Sequence, residues 1–269
     1  MRIGNDAHDQ RQIDVFGEVL QTVLDYADQL EDLEGTWEDL LPLMDWLVDH
    51  WREPDEGIWE VRGGRQHFVY SKVMAWVAFD RAIRTAEAFD LPGEVTTWRR
   101  ERDAVRDQVL EHGIHPEHGY LTQHYDTDQL DASNLRVPLF GFLPPTDPRV
   151  RATIEATIDD LTVDGLVHRY RPERTEDGFE SSEGTFSVCA FWLVENLVVA
   201  GETDRAWLEF EKLLTHANHV GLFAEQVSTD GEALGNFPQA FTHIGLVHSA
   251  LALDRALTAR RQLDLADDR

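Results

Sequence analysis

The chain has one cysteine, Cys189, and two lysines, Lys72 and Lys212, among 269 residues. A lone cysteine excludes an internal disulfide and a multi-cysteine metal site. Its setting, "FSVCAFWLV", reads as core packing rather than as a nucleophile. No apolar run approaches the roughly 20 residues that a membrane span needs. The opening "MRIGNDAHDQ" lacks the basic and apolar stretches of a signal peptide, so the sequence predicts a cytoplasmic protein. Positive charge is scarce: 24 basic residues against 51 acidic ones leave a net charge of −27. Such a field repels phosphate backbones and anionic lipid, which argues against nucleic-acid and membrane partners. The short basic run "RRER" at 99–102 is balanced by surrounding acids. "VRGGR" has neither the spacing nor the preceding strand of a phosphate loop.

What is present is helical periodicity and acid. The carboxylates are spread through helical patterns rather than gathered in a tail, as expected of a halophilic protein whose self-repulsion is screened by salt. Apolar stripes predict helices at 12–30, 36–51, 67–89, 95–112, 148–161, 183–200, 203–217 and 238–258, with a shorter one near 130–140. Gly113 stands where a helix C-cap would. The segments 67–89 and 183–200 read as buried nearly all round, whereas 95–112 has a wet face. Trp37, Trp46, Trp76, Trp192 and Trp207 fall in helical patterns and read as core. The stretches 164–182 and 218–237 read as loops, with short strand pairs in "HRY" and "LFAEQVS". No composition break marks a boundary, so one domain over 1–269 is expected, built of antiparallel helical hairpins.

Two loops carry carboxylates in similar surroundings. Glu60 lies between Gly57 and the pair Gly63–Gly64, just before the helix near His67. Glu225 lies in "GLFAEQVSTDGEALGNFPQAF", just before the last helix. Loops on a rigid helical scaffold are a natural place for functional groups. Two carboxylates can divide glycoside hydrolysis between them, one protonating the leaving oxygen and the other activating water. Trp59 offers an aromatic face to a sugar and desolvates its neighbour. His112, His115, His118 and His124 match no metal-ligand spacing, so no metal site is assigned to them.

"DEGIWEVRGGRQHFVYSKVMAWVAFDRA" resembles the general-acid segment of glycoside hydrolase family 15, the glucoamylase and trehalase family. "GLFAEQVSTDGEALGNFPQAFTHIGLVHSAL" is similar to its general-base segment. "NLRVPLFGFLPPTDPRVRATI", "GLVHRYRPE" and "EGTFSVCAFWLVENLVVAG" resemble the same family in the same order. The resemblance implies an all-α fold: an (α/α)6 barrel, the six-hairpin toroid, incomplete here because its first helices have no counterpart. It makes Glu60 the general acid and Glu225 the general base of an inverting reaction. It sets Trp59 and Arg169 in the sugar subsite and implies no cofactor. Gln226 replaces a second Glu of many members, as it does in fungal glucoamylases. The family's Arg-Asp pair for the outer glucose hydroxyls would come from an upstream-encoded segment. The implied substrate is an oligosaccharide or disaccharide: α-1,4-glucan first, α,α-trehalose as the alternative, with a non-catalytic fragment as the third reading. The two carboxyl groups are expected to face one pocket, roughly 6.5–9.5 Å apart. Without the first helices, apolar flanks at 10–32 and 238–258 should meet water.

Overall fold

Helix α1 (Asp14–Tyr26) follows Ile13 and turns Ile13, Gly17, Leu20 and Val23 inward at intervals of three and four. Gly17 lets it lie close against α3 (Val69–Phe89): a Cβ there would come within 2.5 Å of the Met74 carbonyl oxygen. Asp32 starts α2 (Leu33–His50) by accepting a hydrogen bond from the Gly35 amide at 2.8 Å, an ordinary N-cap. Helix α3 is buried over nearly its whole circumference, as its sequence predicts, and ends on Asp90 in the left-handed region. Helix α4 (Val95–His112) buries only the stripe Trp98, Glu101, Val105 and Val109, and Gly113 closes it. A computed structural model describes residues 7–175, 178 and 184–267 of the chain.

Contacts gather these residues into two compact units. The first runs to Pro116 and also takes Leu121–Asp128 and Gly178; it holds α1 to α4, with α3 between α1 and α4. Within it, Trp37 and Trp98 meet edge to face at 6.0 Å, and the Trp51 indole donates to Glu101 at 3.0 Å. His67 stacks on Tyr125 at 5.5 Å, and the His112 ring is 5.5 Å from the same tyrosine, so these histidines serve as ring neighbours.

The second unit takes Glu117–Tyr120, Gln129–Thr175 and the chain from Gly184 on. Asp147 caps α5 (Pro148–Ala156), whose last turn widens into a π turn over Thr157–Leu161. A hairpin follows: β1 (Thr162–Val163) returns as β2 (Leu166–Val167) through Asp164 and Gly165, with φ of 51° and 84°. A second small sheet is ordered β3 (Thr185–Phe186), β4 (Gln226–Val227), β5 (Ala233–Leu234), antiparallel throughout. Helix α6 (Ser187–Val199) is buried nearly all round and packs on α7 (Thr203–Leu214) and α8 (Ala240–Asp267).

Several expectations change. "HRY" at 168–170 is not a strand; the pairing falls a few residues earlier, where Asp-Gly supplies the two positive φ values of a tight hairpin turn. The helix expected near 130–140 is a 3-10 stretch, Ala132–Arg136. Trp207 is exposed on α7, so it is not core. The predicted loop 164–182 and the predicted start of helix 183–200 lie partly outside the described residues. The two apolar flanks do meet solvent: Val15, Val19 and Tyr26 on α1, and Phe241, Ile244, Val247 and Leu251 on α8 are exposed. No helix among the described residues is long and apolar enough to cross a membrane.

Candidate active site

Trp59 and Glu60 sit together on the loop between α2 and α3 in the first unit. Main-chain bonds of Asp55 to Gln66, at 3.0 and 2.9 Å, close the loop at its base. Inside it the Glu60 amide donates to Gly57 O at 3.2 Å, and the Val61 amide donates to Glu56 O at 3.2 Å. Gly57 has φ of 69°, and a Cβ there would come within 2.8 Å of the Phe68 ring, so only glycine suits the turn. Glu60 itself has φ of 55°. A glutamate in the left-handed region carries backbone strain of about 1–3 kcal/mol, and such residues gather at functional sites. The strain is held from outside: the Gln10 side-chain Nε2 donates to Val61 O at 3.1 Å and to Glu60 O at 3.4 Å. Trp59 is buried and Glu60 half-buried beside it.

Glu225 lies in the second unit at the start of β4. Its amide donates to Asn236 O at 2.9 Å, and its carbonyl accepts from the Ser187 amide at 3.0 Å. Here the carboxylate itself is gripped: Oε2 accepts from both the amide and the side-chain Nδ2 of Asn236, each at 2.9 Å. Two N–H donors suit an ionised carboxylate, which only accepts. Oε1 takes no hydrogen bond from the described residues. Gly235, with φ of 72°, brings the backbone close enough that a Cβ would meet Oε2 at 2.6 Å. Gln226 Oε1 accepts from the Gly184 amide at 3.1 Å and so ties down the edge of the sheet.

Arg169 is buried in the same unit. Its guanidinium lies 4.4 Å over the Phe186 ring and 5.1 Å over that of Tyr170, and Nη2 donates to the Tyr170 hydroxyl at 3.2 Å. Phe186 pairs with Gln226 in the sheet, so the Arg169 guanidinium stacks on a residue of β3, the strand beside the one that follows Glu225. Trp59 and Glu60 thus lie in one unit, and Arg169 and Glu225 in the other. Sequence reasoning missed Asn236 and Gly235, although "LGNFP" held a usable sign: a glycine followed by a side chain with two N–H donors. It also missed Asp55 and Lys72. Among the described residues no group of three or more His, Cys, Asp or Glu could hold a metal ion.

Comparison with known proteins agrees with the residue-level resemblance. The family model "Glycosyl hydrolases family 15" matches residues 1–251. A trehalase of Mycobacterium tuberculosis is 47% identical over 258 residues, covering 95% of this chain and 38% of its own length. A trehalase of Thermoplasma acidophilum is 35% identical over 266 residues, covering 97% of this chain and 45% of its own. The chain therefore spans less than half the length of these relatives. Among solved structures, a glycosidase variant in complex with glucose superposes with a TM-score of 0.79 at 22% identity, over 94% of this chain and 70% of that one. A bacterial glucoamylase complexed with acarbose gives 0.77 at 15% identity, over 91% and 41%. The structural likeness establishes the all-α fold of the (α/α)6 type, and coverage of only part of the second chain fits an incomplete set of hairpins. The matches to the family model and to the trehalases, over nearly the whole length, place the chain in glycosyl hydrolase family 15.

Proposed function

We propose that this chain is the catalytic part of an inverting α,α-trehalase, a single domain over 1–269 in which Glu60 is the general acid and Glu225 the general base. The observation that carries the substrate is the 47% identity over 95% of the chain to a relative named trehalase. In the reaction, Glu225 takes a proton from water through Oε1 while the water oxygen attacks the anomeric carbon. Glu60 gives its proton to the glycosidic oxygen as the carbon–oxygen bond breaks. Asn236 fixes the orientation of the Glu225 carboxylate and leaves Oε1 toward the water, and the strained turn at Glu60 presents the donor. Arg169 and Trp59 bind the sugar that is attacked. The glucan reading, first choice on sequence alone, now rests on fold likeness to a glucoamylase at 15% identity and ranks second.

The test is hydrolysis of trehalose and of maltotetraose, by the chain alone and with an upstream-encoded segment, because the relatives are more than twice as long. Inversion at one of two α-linked carbons yields one β-glucose and one α-glucose, so early proton spectra should show the anomers in equal amounts. Glu225→Gln should lower turnover by about 10²–10⁴-fold. Glu60→Gln should cost about as much on trehalose but little on α-glucosyl fluoride, whose leaving group needs no proton. Cleavage of maltotetraose but not trehalose would overturn the substrate. Release of two α-glucoses would overturn the roles of the carboxylates.

A further inference from the structure

In a chain that uses arginine for all but two of its 24 basic residues, one of the two lysines is fully buried. Lys72 stands in the first turn of α3, and its Nζ donates to Trp51 O at 2.6 Å and Glu53 O at 2.5 Å. Trp51 is the C-cap of α2, so the ammonium meets carbonyls at and just beyond a helix end, where a cation is favoured and acceptors lack partners. Asp55, two residues further on, is also fully buried, and its Oδ2 accepts from the Ile13 amide at 3.0 Å, next to the start of α1. Burial pushes the Asp55 carboxyl up to about 6 and the Lys72 ammonium down to about 8, and each charge opposes the other's shift. The attraction between them therefore tends to keep both ionised near neutral pH.

This pair stands at the root of the loop that carries Trp59 and Glu60. Asp55 and Gln66 close that loop through their main chains, so residues 56–65 hang from Asp55 at one end and from the entry to α3 at the other. Arg11 tightens the same side: its amide donates to Glu56 Oε2 at 2.7 Å, and Arg65 reaches Glu56 Oε1 at 2.9 Å. We propose that Lys72 and Asp55 are a positioning pair for the proton donor, joining the end of α2, the start of α1 and the first turn of α3 so that the loop holds Glu60 in its left-handed turn. The proposal deepens the general-acid reading of Glu60 and rests on it. An ammonium suits the task because it is compact and presents three donors in different directions, whereas a planar guanidinium is larger and fixed in shape.

The experiment uses the active enzyme with Lys72→Met, Lys72→Arg and the double change Asp55→Asn with Lys72→Met, which leaves neither charge buried alone. Two readouts are taken. Hydrogen exchange of peptides covering 55–66 should speed up in the single and double Met variants, while peptides of the second unit keep wild-type protection. Turnover of trehalose should fall roughly 10–100-fold with little change in KM, because misplacing a donor by about 1 Å has effects of that size. Turnover of α-glucosyl fluoride should stay within about threefold of wild type. Lys72→Arg should recover part of the trehalose rate and leave a residual loss.

Unchanged exchange over 55–66 in a folded variant would overturn the proposal whatever Glu60 does. So would an equal loss on both substrates, provided Glu60→Gln itself discriminates between them. If Glu60→Gln does not discriminate, the general-acid assignment fails instead. The exchange readout then decides alone whether the pair holds the loop.

Discussion

The two carboxylate loops are held by contacts of different reach. Glu60 is fixed through its backbone, by contacts that reach across the first unit: Gln10 lies 50 residues away, and Ile13 is 42 from Asp55. Glu225 is fixed at its carboxylate as well as its backbone, chiefly by an asparagine 11 residues along in the same hairpin. A main chain held in place fixes the point from which a proton donor's side chain reaches the substrate. A base that must stay an acceptor gains from fixed donors on one oxygen. On this reading, distant changes should disturb Glu60 and local ones Glu225.

The largest effects should come from the two glycines beside these residues. Gly57→Ala forces a Cβ toward the buried Phe68 ring at 2.8 Å and strains a φ of 69°. Overpacking and left-handed strain together should cost about 2–4 kcal/mol. Unfolding should then move down by several degrees. Gly235→Ala strains a φ of 72° in the same way, but its Cβ meets the Glu225 carboxylate, on an exposed turn. Here the greater loss should be in turnover, with a smaller drop in the unfolding midpoint. Thermal melts and kcat measured side by side would show whether the split holds. If Gly57→Ala cost only activity, or Gly235→Ala only stability, the comparison would break.

The two loops also differ in how far the sequence revealed them. Helices came through clearly, because α1, α4 and α7 repeat apolar residues at three and four, and α3 and α6 are apolar all round. The small strands did not. Two residues per strand carry no usable alternation, and the Asp164–Gly165 turn signal went unread in favour of "HRY". The candidate carboxylates came from long segments with a family resemblance, not from spacing, since 51 acids make many pairs. Their supports stayed hidden for a physical reason. Gln10, Ile13 and Lys72 act on the Glu60 loop only after the chain has folded back on itself, and no local pattern records that. Lys72 did leave one trace: a lysine inside an apolar helix of a chain that otherwise avoids lysine.

A smaller effect would sharpen the contrast between two acids, the fully buried Asp55 and the half-buried Glu195. Asp55 in the first unit has Lys72 to oppose its burial, and Glu195 on α6 in the second has Arg136. Burial pushes Glu195 up to about 7 from the ordinary value of 4.5, and Arg136 only partly offsets it. A folded-state value above the unfolded one means that the fold binds the proton more tightly than the unfolded chain does. The stability from the neutral carboxyl is therefore complete below about pH 4.5 and is lost as pH rises through about 7. The loss reaches about 3 kcal/mol at most. Glu195→Gln keeps a neutral side chain at every pH, so its melting curve should match wild type near pH 4.5 and lie a few degrees higher at pH 8. Asp55→Asn carries the same linkage sign, because burial also pushes Asp55 up to about 6, but it strands the Lys72 ammonium, so its gain at pH 8 should be smaller than that of Glu195→Gln. Melts of both variants from pH 4.5 to 8 make the check. A Glu195→Gln variant less stable than wild type at pH 8 would mean that its attraction to Arg136 outweighs the cost of burying it, and the two acids would then be held alike.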